Sequence, residues 1–142
     1  MIEAATERDL PAVRALLERL HLPLAGVGEH LPTTLVAREG EQIIGTAALE
    51  MYSDGALLRS VGVEPRRQGS RLGRQLTDAA LQLAASRGAR TVFLLTTTAE
   101  RFFPKFGFEQ ITREQVPASV RASVEFQSAC PASAIVMRKQ LR

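Results

Sequence analysis

Four arginines, Arg66, Arg67, Arg71 and Arg74, crowd into nine residues that also hold Gln68, Gly69, Ser70, Leu72 and Gly73. A guanidinium is a planar fork that matches phosphate and carboxylate oxygens, and glycine lets a backbone approach such a group closely. Three readings meet here: a solvated helix start, a nucleic-acid patch, and a seat for a small ligand carrying phosphate. The chain shows no zinc-finger spacing, heptad repeat or aromatic RNA-binding motif, which weighs against nucleic acid. The glycines favour the small ligand. A second pair, Glu50 and Arg59, could hold a charged substrate group or could form a plain cross-strand ion pair. His21 and His30 read as loop or helix-end residues, with one of them left open as a base. Arg113, Ser123 and Glu125 read as a solvated loop and short helix at least as readily as substrate contacts.

The elements that must position these residues follow from periodicity. Residues 2–5 read as a strand. Thr6 followed by Asp9 makes a capping-box-like start, after which Leu10, Val13, Leu16, Leu17 and Leu20 recur at helical spacing. Residues 22–32 hold two prolines and two glycines and form a loop. Residues 34–38 and 42–52 are strands joined at Glu39-Gly40-Glu41. Ser53-Asp54-Gly55-Ala56 is a hairpin turn, with Asp54-Gly55 as its two loop residues. Counting back from Ser53 opposite Ala56 pairs Glu50 with Arg59, and two-residue alternation puts Val61 and Val63 on the same face. A strand over 57–63 then runs through the glycine-containing loop into a helix marked by Leu72, Leu76, Ala79, Ala80 and Leu83, ended at Gly88. At a helix start several backbone N–H groups lack partners, so a pyrophosphate fits there. The loop is not a P-loop, because the Gly-Lys-Ser/Thr ending is missing, and not a dinucleotide fingerprint, because it follows a hairpin. Residues 91–96 form a strand, 99–106 a short helix stopped by Gly107, 108–112 extended chain, 117–131 a mixed segment and 134–138 the last strand. Hairpins mixed with strand–helix–strand units predict an α/β (α+β) fold. Its order is β-α-β-β-β-α-β-α-β-β, with a mixed, mainly antiparallel sheet of six to seven strands and helices on both faces.

The segment from Gln68 to Gly73 resembles the acetyl-CoA motif of the GNAT N-acetyltransferases, Arg/Gln-x-x-Gly-x-Gly/Ala before a helix, with Arg71 where the family usually has glycine. Ala99-Glu100-Arg101-Phe102-Phe103-Pro104-Lys105-Phe106-Gly107-Phe108 resembles the family's second signature, Ala-x-x-Phe-Tyr-x-x-x-Gly-Phe. The likeness covers nearly the whole chain. It implies one GNAT domain over 1–142 that uses acetyl-CoA as cosubstrate and no metal. Cofactor contacts would come from Val61, Gly62, Val63, Gln68, Gly69, Ser70, Arg71, Leu72, Gly73 and Arg74, and from Thr96, Phe102 and Phe103. A backbone N–H within 61–63, Val61 foremost, would stabilise charge on the thioester oxygen. The tyrosine that often protonates the CoA thiolate in this family is replaced by Phe103, so water would serve or no acid is needed. Many relatives carry a catalytic acid where Arg59 stands, which suggests an anionic group on the acceptor, with Glu50 orienting Arg59 or helping to take the amine's proton. Cys130 reads as packing rather than a nucleophile, since the transfer needs no covalent enzyme intermediate.

Leu57-Leu58-Arg59-Ser60, Leu94-Leu95-Thr96-Thr97-Thr98-Ala99 and Glu125-Phe126 with Cys130-Pro131 resemble more narrowly the small N-acetyltransferases of bacterial arsenic-resistance operons. That likeness implies an amino-acid-like acceptor, including arsenic or phosphinothricin-type analogues. Two other functions stay open, a protein or polyamine N-acetyltransferase and a non-catalytic acyl-CoA sensor. Composition is ordinary for a folded chain, at 45% hydrophobic and 23% charged residues, with a net charge of +3. The N-terminal residues are not an apolar leader, no run is long enough to span a membrane, and one cysteine excludes an intrachain disulfide. The expectation is a cytoplasmic protein without membrane or nucleic-acid partners, with a homodimer left open.

Overall fold

The structure, a computed structural model, describes residues 1–129 and 133–141. Its elements are β1 (Ile2–Ala4), α1 (Leu10–Arg19), β2 (Thr34–Glu39), β3 (Gln42–Tyr52), β4 (Gly55–Val63), α2 (Leu72–Ser86), β5 (Thr91–Thr96), β6 (Glu109–Ile111), α3 (Ala118–Arg121) and β7 (Ile135–Gln140). Short 3-10 turns and a π-helical turn at Glu125–Ala129 connect them. The strands form one seven-stranded sheet in the order β1-β2-β3-β4-β5-β7-β6. Every pairing is antiparallel except that of β4 with β5. The mixed, mainly antiparallel sheet expected from the element order is therefore present.

Alternation along the strands divides the apolar residues between two faces. Ala37, Ile44, Leu49, Leu58, Val92, Leu94 and Met137 pack with Leu76, Ala80 and Ala84 of α2. On the other face Val36 and Ile43 pack with Val13, Leu16 and Leu17 of α1, and Leu57, Phe93 and Val136 pack with Val120 of α3. Helices thus cover both faces. The start of α1 is anchored to β2. Asp9 accepts hydrogen bonds from the Thr6 N–H at 2.7 Å and from Arg38 at 2.6 Å.

Three expectations are corrected. The tight turn is Ser53-Asp54, with Tyr52 opposite Gly55, so β4 begins two residues early and Glu50 faces Leu57 while Arg59 faces Ala48. Gly55 opens the strand at φ +147°, where only glycine fits, since a Cβ there would sit 2.9 Å from the Thr91 carbonyl oxygen and the Phe93 ring. A slip of two residues keeps each side chain on its face, so Glu50 and Arg59 still meet diagonally. Second, Val61 and Val63 do not share the face of Arg59. A bulge sets Ser60 and Val61 against Ala47, with Ser60 at φ +56°, and beyond it the alternation reverses. Val61 and Val63 join the α2 face, while a Cβ on Gly62 would meet Leu20 and Leu22 of the α1 side. Third, the helix expected over 99–106 is a 3-10 turn over Phe103–Phe106, stopped by Gly107 at φ +92°. The expectation for Cys130 lies outside the described residues.

Candidate active site

The bulge opens the sheet. β4 and β5 pair only at Ala56–Val92 and Leu57–Phe93. Past Leu57 this edge of β4 has no partner strand among the described residues, and a cleft of about 580 Å³ lies between the two strands. Its walls include Arg59 to Val63 on one side and Leu94 to Ala99 on the other, with Gln68, Gly73, Phe102, Phe103 and Glu125 closing it. From Arg59 to Val63 this strand edge extends about 13 Å at the usual rise per residue.

One side of this cleft is the start of α2. The first bond from the α2 start runs from the Gln75 N–H to the Arg71 carbonyl at 3.0 Å, so the N–H groups of Leu72, Gly73 and Arg74 point out of the helix. Arg71 occupies the N-cap position and supplies no side-chain cap, since a guanidinium has no acceptor. It also stands at φ +69°, ψ +4°, where a residue bearing Cβ is strained. Gly69, at φ +88°, turns the loop in open space. Gln68 donates to the Val63 carbonyl at 3.2 Å and ties the loop to the end of β4. Gly73 faces the cleft with room for a Cβ, 3.7 Å from both Phe102 and Val63. An uncapped helix start with outward N–H groups and exposed arginines is suited to a pyrophosphate. The apolar wall of Val61, Phe102 and Phe103 suits a flexible thioester arm. The residues present therefore fit CoA.

The aromatic wall is closely packed. Phe103 is buried, with its ring edge-on to Phe102 at 5.1 Å and to Phe108 at 5.8 Å. Thr96 spends its hydroxyl on the Ala99 N–H at 2.9 Å, which caps the turn after β5.

The remaining charges collect beyond the bulge. Arg59 has no exposed side-chain surface. Its Nη1 donates to Glu50 Oε2 at 2.7 Å, its Nη2 to the Pro23 carbonyl at 3.3 Å, and its Nε lies 3.3 Å from Glu125 Oε2. Tyr52 donates its hydroxyl to Glu50 Oε1, and His30 Nε2 lies 3.5 Å from Glu50 Oε2. Burial, followed by the hydrogen bond to Glu50 and its negative charge, pushes the Tyr52 phenol well above its ordinary pKa. That group therefore remains a donor. Gly26 is packed so closely that a Cβ would approach Arg59 Nη1 to 3.0 Å and Val124 to 3.2 Å. Glu50 lies behind Arg59 and does not border the cleft, whereas Glu125 does.

A family model described as acetyltransferase (GNAT) domain matches residues 30–110. The chain belongs to the GNAT acetyltransferase family. It is 29% identical over 130 residues to an amino-acid acetyltransferase of Mycobacterium tuberculosis, covering 84% of this chain and 74% of that protein. An amino-acid acetyltransferase of Pseudomonas fluorescens is 36% identical over 93 residues, and the match covers 64% of this chain and 21% of the relative. The chain thus spans only about a fifth of the length of that longer relative. Among solved structures, N-acetylglutamate synthase of Neisseria gonorrhoeae with coenzyme A and N-acetyl-glutamate superposes with a TM-score of 0.86 at 20% identity, over 100% of this chain and 35% of that one. A Mycobacterium tuberculosis protein solved with CoA gives 0.84 at 25% identity, over 100% and 99%.

Membership makes this GNAT chain an acetyl-CoA-dependent N-acetyltransferase. Within its cleft the structure brings together Val61, Gly62, Val63, Gln68, Gly73, Thr96, Phe102 and Phe103. Gly69, Ser70, Arg71 and Arg74 lie on the exposed approach to the α2 start. Glu125, read from the sequence as solvated at least as readily as a substrate contact, is buried and borders the cleft. It sits on the π-helical turn, an irregular element without apolar periodicity, and its only sequence signal was the Glu125-Phe126 resemblance. No helix among the described residues is long and apolar enough to cross a membrane.

Proposed function

We propose that this acetyltransferase moves the acetyl group of acetyl-CoA onto the α-amine of a small amino acid. The observation that carries the reading is the pair Arg59 and Glu125, opposite charges 3.3 Å apart at the cleft. A free amino acid carries a carboxylate and an ammonium on one carbon. Such a zwitterion can insert into an ion pair and satisfy both members, Arg59 taking the carboxylate as a fork. Glu50 holds Arg59 from behind, itself fixed by Tyr52. The names of the curated relatives support the amino-acid class. Cofactor phosphates would lie at Gln68 to Arg74, with Arg71 adding a contact, and the thioester would lie along residues 61–63. The narrower form of the proposal is an anionic acceptor of the glutamate type, with arsenic or phosphorus analogues included.

In this reading the enclosed Arg59 serves the acceptor and not the cofactor. The test is release of free CoA thiol with a panel of amino acids, amino-acid amides, diamines and a lysine peptide. Turnover confined to free amino acids supports the reading, and turnover confined to diamines or the peptide refutes it. Gly73→Trp, which fills the space beside Phe102, should abolish CoA binding in calorimetry while the protein remains folded. Unchanged affinity would remove the cofactor from this cleft.

A further inference from the structure

We infer that Glu125 binds the acceptor's ammonium and takes its proton. The inference rests on the amine-acetylating reading above and names the group that does this work. Among the described residues Glu125 is the carboxylate that borders the cleft, whereas Glu50 is set behind the guanidinium. The two carboxylates hold Arg59 unequally. Glu50 is at 2.7 Å from Nη1, with its second oxygen engaged by Tyr52, and Glu125 stands 3.3 Å from Nε. Glu50 keeps the shorter contact with Arg59, and the longer one with Glu125 is the one that an incoming acceptor can exchange.

Position and burial agree. Glu125 has only 4% of its side-chain surface exposed, so a cation that reaches it is attracted in a poorly screened setting. It opens the π-helical turn Glu125–Ala129, and such turns recur at functional sites because their backbone departs from regular packing. Ser123 and Val120 anchor the segment from the α3 side, both buried. Arg59 from β4 faces Glu125, and Arg59 is held in turn by Glu50, which accepts from Tyr52 on β3.

The chemistry balances without another reagent. One ammonium proton passes to the Glu125 carboxylate, which frees the nitrogen lone pair. The nitrogen forms the C–N bond to the acetyl carbon as the C–S bond opens, and the sulfur leaves with the bonding electrons. The nitrogen's second proton neutralises the departing thiolate, directly or through water. Glu125 returns its own proton to solvent before the next turnover. No tyrosine at position 103 is required in this scheme.

The experiment compares wild type, Glu125→Gln and Glu125→Asp by thiol release against the same amine panel, with calorimetric titration of acetyl-CoA and thermal unfolding of each variant. Glu125→Gln should lower kcat/KM by about tenfold or more for whichever amine is used, the scale of one charge-assisted hydrogen bond. Glu125→Asp should fall in between, and acetyl-CoA affinity should stay the same in both. Unchanged kcat/KM in a folded Glu125→Gln overturns the inference. If that variant does not fold, unchanged kcat/KM in Glu125→Asp overturns it instead. A loss of kcat/KM for diamines alone would sustain Glu125 while refuting the amino-acid acceptor. Absence of turnover with every amine would overturn both.

Discussion

Replacing Arg71 separates a backbone effect from a charge effect at one residue. At φ +69° the backbone of Arg71 is left-handed, which costs a residue bearing Cβ roughly 1–2 kcal/mol. Glycine escapes that cost but loses more freedom on folding, roughly 0.5–1 kcal/mol. Alanine keeps the Cβ and so keeps the strain, and at an N-cap it is also clearly worse than glycine. Arg71→Gly should therefore be more stable than Arg71→Ala by about 1 kcal/mol, or about 3 °C in Tm for a chain of this size. Both variants lose the guanidinium, so both should bind CoA about tenfold more weakly if Arg71 meets a phosphate. That deficit should shrink as salt is raised. The assays are thermal unfolding of the three proteins and CoA titration at low and high ionic strength. Equal Tm values for the two variants would refute the strain argument. Undiminished affinity in both would refute the phosphate contact.

Arg59→Ala leaves Glu50 and Glu125 buried beside a lost cation and should destabilise by roughly 3–5 kcal/mol. The double variant Glu50→Leu, Arg59→Met should lose less in urea unfolding than the two single losses added together. Gly55→Ala forces a Cβ to within 2.9 Å of the Thr91 carbonyl oxygen and should cost more than about 1 kcal/mol, read from the same denaturation curves. Asp9 is held below its ordinary pKa, chiefly by the hydrogen bond from Arg38 and also by those from Thr6, against the opposing effect of burial. Its folded pKa lies below its unfolded one, so its contribution is complete above about pH 4 and fades as pH falls through the folded value. Asp9→Asn should therefore flatten the loss of stability between pH 5 and pH 2, roughly, in urea titrations at several pH values. Phe103→Tyr should leave turnover unchanged or raise it. A large loss with intact Tm would show that the bare phenyl edge is needed against the cofactor.

Local chemistry was legible in the chain itself. Apolar periodicity placed α1 and α2, β-branched runs placed the strands, and Gly88 and Gly107 marked where their elements stop. The strand, glycine-containing loop and helix start over residues 61–74 were legible for the same reason, because they are contiguous in sequence. Long-range relations were not. The register of β3 on β4 depended on whether Gly55 joined the turn or the strand, and in the fold it joins the strand, packed against the distant Thr91 carbonyl and Phe93. The bulge at Ser60 turned Val61 and Val63 onto the face opposite Arg59, and no side-chain pattern announces a positive φ at serine. Glu125 was placed beside Arg59 by a turn with no regular period. Periodicity records which face of its own element a residue occupies. Which charges meet at the cleft depends on how separate elements pack, and only the folded chain decides that.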